Sequence, residues 1–246
     1  MNTIKILING ANGKMGRVTV AAITAEKDLR LVATTSRNDD LLSAIQKHKP
    51  DIVIDWTIPS AVFENTQKII SAGVRPVIGT SGLTPEQIEI ISQQCAEKKI
   101  GGIVAPNFSI GAILMMKYAQ DAANYFPDVE IIEYHHPKKL DAPSNTAKKT
   151  AELLSKIKKE KNTSHSLDTQ LKNNLSRGEQ YHHIPIHAVR VTGVFANQEV
   201  IFGGNGETFT IQHNVTDRSA MMPGLFLCCR KVMELDRLVC GMEKWL

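Results

Sequence analysis

Short, largely apolar runs recur through the first 105 residues, at 4–9, 31–35, 52–55, 76–78 and 100–105. Helical patterns fill the gaps at 14–27, 39–48, 60–71 and 84–98, the last opening on Thr84 and Pro85. A strand with one wet face alternates apolar and polar residues. Runs that stay apolar belong to strands covered by helices on both sides. Strand–helix alternation with short connections demands right-handed crossovers, and hence an α/β, Rossmann-like, doubly wound parallel sheet.

The rhythm changes after residue 105. A long helical stretch at 110–125 is closed by Pro127, a strand follows at 129–134, and a helix at 145–159. Residues 160–180 are polar and uneven and read as a loop. Strand-like runs then crowd together at 187–194, 198–202 and 207–214, with Gly203, Gly204, Asn205 and Gly206 supplying a turn between the last two. Clustered strands predict a second, mixed or antiparallel sheet in an inserted α+β domain. The expected division is 1–109 with 216–246 for one domain and 110–215 for the other. The tail from 219 onward reads as helical and apolar, returning to pack on the first domain.

The net charge of +4, from 29 basic and 25 acidic residues, is too small to mark a nucleic-acid binder. Basic residues gather between Lys138 and Lys161. From Lys148 onward they read as a solvated helix face. No run approaches the roughly 20 apolar residues that span a bilayer. The first ten residues lack the apolar core and cleavage site of a signal peptide. Four cysteines (Cys95, Cys228, Cys229, Cys240) lack metal-ligand spacing and read as reduced thiols, so a cytoplasmic protein is expected.

Between the first strand and the first helix stands Gly10-Ala11-Asn12-Gly13-Lys14-Met15-Gly16-Arg17. This Gly-x-x-Gly-x-x-Gly spacing is a variant of the dinucleotide fingerprint. Its glycines permit a tight turn, close approach to a pyrophosphate and close helix packing, while the helix start offers free N–H groups. A bare βα turn is the plainer reading, but strand before and helix after favour the functional one. Where an acid normally holds the ribose 2′-hydroxyl, this chain has Thr34-Thr35-Ser36-Arg37, with no carboxylate before Asp39. A hydroxyl and a guanidinium suit a 2′-phosphate, so NADPH is expected to be preferred, with NADH possible.

The segment from Glu133 through His135, His136, Lys138, Lys139, Asp141, Pro143, Ser144, Asn145 and Thr146 leaves a strand, crosses a loop and opens a helix. Adjacent histidines on extended backbone point to opposite sides and do not chelate one metal, and Pro185 keeps His183 and His187 from helical pairing. No metal site is expected. Acid–base chemistry near neutral pH is what histidine does best. Lys139 can donate a second proton and attract anions, and the N–H groups of Ser144, Asn145 and Thr146 form a carboxylate site at a helix start. Taken singly, Ser144 reads as a cap and His135 as a half-buried polar residue; four such residues within a dozen positions favour a site.

With this segment in view, the chain resembles the dihydrodipicolinate reductase family of bacterial lysine biosynthesis. The resemblance runs almost the whole length, through Met15-Gly16-Arg17, Asp55-Trp56-Thr57, Gly79-Thr80-Ser81-Gly82, Ala105-Pro106-Asn107-Phe108-Ser109 and His135-His136 with Lys139, Asp141, Ala142, Pro143 and Ser144. It implies a dinucleotide domain made from both chain ends, an inserted substrate domain, and a homotetramer joined through the substrate-domain sheets. It implies that residues Gly10 to Met15, Ser36 or Arg37, Gly79 to Ser81 and Ala105 to Phe108 line the cofactor. Residue His135 is then a proton donor or acceptor, Lys139 a proton donor, and His136, Asn145 and Thr146 ligands of a small dicarboxylate. Hydride passes from the nicotinamide to the substrate ring, and closure over the cofactor excludes water.

The family usually carries glycine at the position of Asn145, Gly-Glu-His at Ala196-Asn197-Gln198, and glycine at Thr192. Two further functional classes stand beside the reductase. One is a dehydrogenase of another small acid or semialdehyde. Its thioester form would need a nucleophilic cysteine at the site, and Cys95 falls inside a helical pattern while the other three lie in the tail. The other is a non-catalytic NADP-binding protein, which would bind cofactor without consuming it.

Overall fold

In the computed structural model, which describes residues 3–160 and 175–246, the first half of the chain alternates as its apolar pattern requires. The elements are β1 (Ile4–Asn9), α1 (Lys14–Ile23), β2 (Leu29–Thr35), α2 (Leu41–His48), β3 (Ile52–Asp55), α3 (Pro59–Ser71), β4 (Arg75–Ile78), α4 (Pro85–Lys98) and β5 (Gly102–Val104). Then come α5 (Ile110–Ala122), β6 (Asp128–His135), α6 (Asn145–Glu160), β7 (Glu179–Tyr181), β8 (Ile184–Arg190), β9 (Ala196–Gly204), β10 (Glu207–Val215), α7 (Met222–Lys231) and β11 (Leu238–Cys240). Packing groups these into two compact units, Met1–Ile110 with Arg218–Leu246, and Gly111–Asp217.

The first unit holds a six-stranded sheet in the order β11-β5-β4-β3-β1-β2, parallel throughout. All four residues of β3 and the last four of β1 are buried, because helices cover both faces. Leu7 and Val53 pack with Leu41, Ile45, Ile69 and Val74, while Ile78 and Val104 pack with Val62. Each such fully buried aliphatic side chain contributes roughly 1.5–3 kcal/mol. Thr84 caps α4 as its position suggested: its hydroxyl accepts from Gln87 N, and Gln87 Oε1 accepts from Thr84 N in return. Strand order reverses between β1 and β3, and the carboxyl ends of these two strands are where open α/β sheets bind ligands.

The tail departs from its helical expectation. Helix α7 covers ten residues, and residues 238–240 form a sixth parallel strand against β5, Val239 beside Ile103. Three residues are too few to show a period, and the pairing that makes them a strand lies far back in the chain. Arg230 fastens this return by donating from Nε and Nη2 to Asp28 at 2.8 and 2.7 Å.

The second unit carries a mixed five-stranded sheet in the order β10-β9-β6-β8-β7. Its pairs are antiparallel except β6 with β8. Helix α6 covers one face with Ala147, Ala151, Leu154 and Lys158, spaced at three and four residues. The opposite face presents Ile132, Tyr134, Val189 and Ile201, each only half-buried. The turn before β10 is tighter than expected, formed by Asn205 and Gly206 with Gly206 at φ +82°. Of the loop expected at 160–180, residues 161–174 lie outside the described residues. Residues 179–181 are β7, which pairs with β8 and was not expected. β8 itself begins at Ile184 and ends at Arg190, earlier at both ends than the 187–194 run.

Candidate functional site

In the first unit, the turn after β1 is shaped by what glycine alone tolerates. Gly10 stands at φ +83°, and a Cβ there would lie 2.5 Å from Trp56 O. A Cβ on Gly16 would lie 2.3 Å from Gly10 O, so α1 comes down directly onto the turn. No side chain caps α1 and no acid sits in its first turn. Its leading N–H groups are therefore open to an anion, a cradle that fits a dinucleotide pyrophosphate.

A cavity of about 460 Å³ opens beside this turn. Its walls include the expected Gly10, Asn12, Gly13, Ser36 and Arg37. They also include Asp39, Trp56, Thr57, Asn65 and Lys68, which were not expected there. Asp39 folds back on the loop: its Oδ2 accepts from Ser36 N at 2.8 Å and Ser36 Oγ at 2.9 Å. The Ser36 hydroxyl is thus committed to Asp39, and a carboxylate stands where the sequence order suggested there was none.

Beneath the cavity lies Asp55, fully buried. Its Oδ1 accepts from Thr57 N at 3.0 Å and from the hydroxyls of Thr57 and Thr80, both at 2.6 Å. Its Oδ2 accepts from Asn9 Nδ2 at 3.0 Å and Asn65 Nδ2 at 3.3 Å. Asn9 in turn accepts from Thr35 Oγ1 at 2.9 Å. One carboxylate thereby ties the carboxyl ends of β1, β2, β3 and β4 together.

The remaining residues expected to line the cofactor lie outside that cavity wall. Ala11 is buried, and Lys14 and Met15 begin α1. Gly79, Thr80 and Ser81 follow β4, and Ala105, Pro106, Asn107 and Phe108 follow β5. Trp56 reaches across to this side: its ring meets Phe108 edge-on at 5.4 Å, and lies where a Gly79 side chain would be.

In the second unit, β6 ends at His135 and α6 begins at Asn145. Ser144 caps α6, its Oγ accepting from Ala147 N at 3.2 Å, while its own N–H donates to Glu133 Oε1 at 3.2 Å. The Ser144 N–H is therefore used internally, while its hydroxyl, which accepts from Ala147 N, keeps a proton to donate. The next two N–H groups, of Asn145 and Thr146, have no intrahelical partner and are the ones left for a carboxylate. His136 Nδ1 is buried without a protein partner, beside Phe195. Lys139 Nζ donates to both oxygens of Asp141 at 2.8 and 2.7 Å. That hydrogen bond holds the Asp141 carboxyl below its usual range.

His135 Nδ1 lies against Oε2 of the fully buried Glu133. Arg190 forks onto the same carboxylate, Nη1 to Oε2 at 3.0 Å and Nη2 to Oε1 at 2.7 Å. Nη2 also reaches Asp141 O at 2.8 Å. The expected proton carriers His135 and Lys139 are thus joined through Glu133, Arg190 and Asp141. The sequence reading placed Glu133 and Asp141 in the motif without a role, and missed Arg190 altogether. Among the described residues no cluster of His, Cys, Asp and Glu could hold a metal ion. The four cysteines are free, and burial pushes the Cys95 thiol up to about 11. Such a thiol is a poor nucleophile at neutral pH.

Two family models match the chain: that for the dihydrodipicolinate reductase N-terminus over residues 4–108, and that for its C-terminus over residues 111–246. A 4-hydroxy-tetrahydrodipicolinate reductase of Coxiella burnetii (strain Dugway 5J108-111) is 56% identical over 243 residues, 99% of each chain. The enzyme of the same name from Legionella pneumophila (strain Philadelphia 1) is 48% identical over 97% of this chain and 98% of its own. Among solved structures, the dipicolinate-bound dihydrodipicolinate reductase from Paenisporosarcina sp. TG-14 superposes with a TM-score of 0.90 at 40% identity, covering 99% of this chain and 100% of that one.

Proposed function

This chain belongs to the dihydrodipicolinate reductase family, and on that premise we propose that it reduces 4-hydroxy-tetrahydrodipicolinate to tetrahydrodipicolinate with NAD(P)H, a step of diaminopimelate and lysine biosynthesis. The observation that carries the reading is the loop from β6 to α6. It gathers a carboxylate-held histidine, a lysine, the unpartnered Nδ1 of His136 and the open N–H groups of Asn145 and Thr146. Such a set of donors suits a small dianion.

The reaction replaces a ring hydroxyl by hydrogen, consuming one hydride and one proton and releasing water. With its pyrophosphate held on the glycine turn, the nicotinamide cofactor would supply the hydride. The residues of the chain do the rest. His136 Nδ1 and the first N–H groups of α6 take the carboxylates, which fixes the ring. A substrate carboxylate also competes with Asp141 for Lys139 Nζ, freeing that ammonium to act as a donor. His135 exchanges the proton through Nε2, the ring nitrogen not facing Glu133.

We assign NADPH as the preferred cofactor and NADH as the secondary one. Arg37 and Lys68 in the cavity wall offer two cations to a 2′-phosphate, while Asp39 offers an acceptor to a 2′-hydroxyl. A kcat/KM ratio favouring NADH would reverse the order. We also propose a homotetramer built through the second sheet, whose open face carries Ile132, Tyr134, Val189 and Ile201. The free, mostly buried cysteines support a cytoplasmic setting, and among the described residues no helix is long and apolar enough to cross a membrane.

The test is loss of NADPH absorbance when the purified chain meets the freshly made condensation product of aspartate semialdehyde and pyruvate. Substrate-dependent oxidation is expected. Cofactor binding without turnover would replace the reductase by a non-catalytic dinucleotide-binding protein.

A further inference from the structure

Glu133 is not needed to explain dicarboxylate binding or hydride transfer, yet it is fully buried at the centre of the loop's hydrogen bonds. Taking a carboxylate out of water is costly, and an apolar residue of similar volume commonly serves packing as well or better. The position of Glu133 suggests what that cost secures. Glu133 and His135 stand two apart on β6 and leave the strand on the same face. Arg190 reaches them because β6 and β8 run parallel in register, His135 opposite Arg190. A neutral imidazole carries one proton, and the partner of one nitrogen decides which nitrogen holds it. An ionised carboxylate only accepts, so beside Nδ1 it leaves Nε2 open for exchange with substrate.

We propose that Glu133 is the positioning residue for His135, held in place by the Arg190 fork, and that it selects the ring tautomer and orientation that present Nε2. Through its bond to Asp141 O, Arg190 also keeps the loop bearing Lys139 in register with that ring. Burial alone would push the Glu133 carboxyl up. The hydrogen bonds from His135 and Arg190 outweigh it and hold the group below its ordinary range. The charged groups gathered around His135 are Glu133 on its own strand, Arg190 on β8, and Asp141 with its partner Lys139 on the loop. The assignment rests on the proposed role of His135 as proton carrier.

The experiment reads the tautomer directly and without substrate. Nitrogen NMR of histidine-labelled protein, with His135→Ala identifying the signal, should place the proton of the neutral ring on Nδ1. In Glu133→Gln the amide can offer either oxygen or NH₂ to that nitrogen, so the ring should become a mixture of tautomers. With substrate, Glu133→Gln should lower kcat roughly 10²-fold while leaving KM for the dicarboxylate within about threefold. Glu133→Asp, which keeps the charge, should recover part of that loss, and dipicolinate binding checks that the loop is intact. A wild-type ring protonated on Nε2, or a ring signal unmoved by Glu133→Gln, overturns the proposal. The wild-type spectrum decides even if the Gln variant does not fold. Absence of NADPH turnover in the wild type would instead strike the reductase reading and leave the tautomer result standing.

Discussion

Among the described residues two carboxylates are fully buried, one in each unit, and they keep different company. Asp55 accepts only from neutral donors, an N–H, two hydroxyls and two amides. Glu133 accepts from an arginine and touches a histidine. The first arrangement has no proton to exchange. It draws four strand ends into the rim of a binding crevice and fixes backbone shape. The second sets a carboxylate between an imidazole and a guanidinium. Under the proposed assignment, two equally buried acids serve architecture in one place and chemistry in the other, and the difference lies in the partners.

The largest expected effect sharpens the chemical side. His135→Ala should lower kcat roughly 10²–10⁴-fold, the usual range for a positioned acid or base. An unchanged rate would remove His135 from the reaction and level the contrast. Asp55→Ala attacks the other side. It strands the donors of Asn9, Thr57 and Thr80, so about 3 kcal/mol of stability should go, lowering the melting midpoint by roughly 6–12 °C. KM for NADPH should rise while kcat at saturating cofactor changes little. Should kcat collapse instead with the midpoint held, Asp55 would belong with the chemistry.

The smallest effect concerns acid. Because the Glu133 carboxyl is held below its ordinary value, its contribution to stability is present above the unfolded value, about 4.3. That contribution is lost as pH falls through the folded value. Melting curves in acid should therefore fall more steeply for the wild type than for Glu133→Gln. Other acids, such as Asp28 beside Arg230, contribute equally to both proteins. Parallel curves would mean that the cations around Glu133 return nothing net.

What the sequence made legible follows from the range of each interaction. Strands β1 and β3 form at the expected residues because an apolar run with helices on either side is a local signal. The glycine turn was legible because its backbone excludes side chains at Gly10 and Gly16. Strands β7 and β11 escaped because three residues show no period and depend on partners elsewhere. The fold-back of Asp39 onto Ser36 is short in sequence, yet a solvated loop acid looks the same until the loop is built. Arg190 was invisible beside Glu133 because 57 residues separate them and only the β6–β8 register brings them together. The loop from His135 to Thr146 stood out because its chemistry is contiguous. Of the two residues that hold its histidine, Glu133 stands on the same strand and only Arg190 comes from another.

The return of the chain to its first sheet has a consequence for biosynthesis. Strand β11 completes the edge beside β5, and Arg230 clasps Asp28 from 202 positions away. A nascent chain leaving the ribosome meets the requirements of the second unit, which is continuous, before those of the first. The nucleotide-binding half waits, with an unpaired edge, until residues 218–246 emerge. A ribosome that stalls before then would leave that edge open to neighbouring chains, which makes the interval a natural point for chaperone attention.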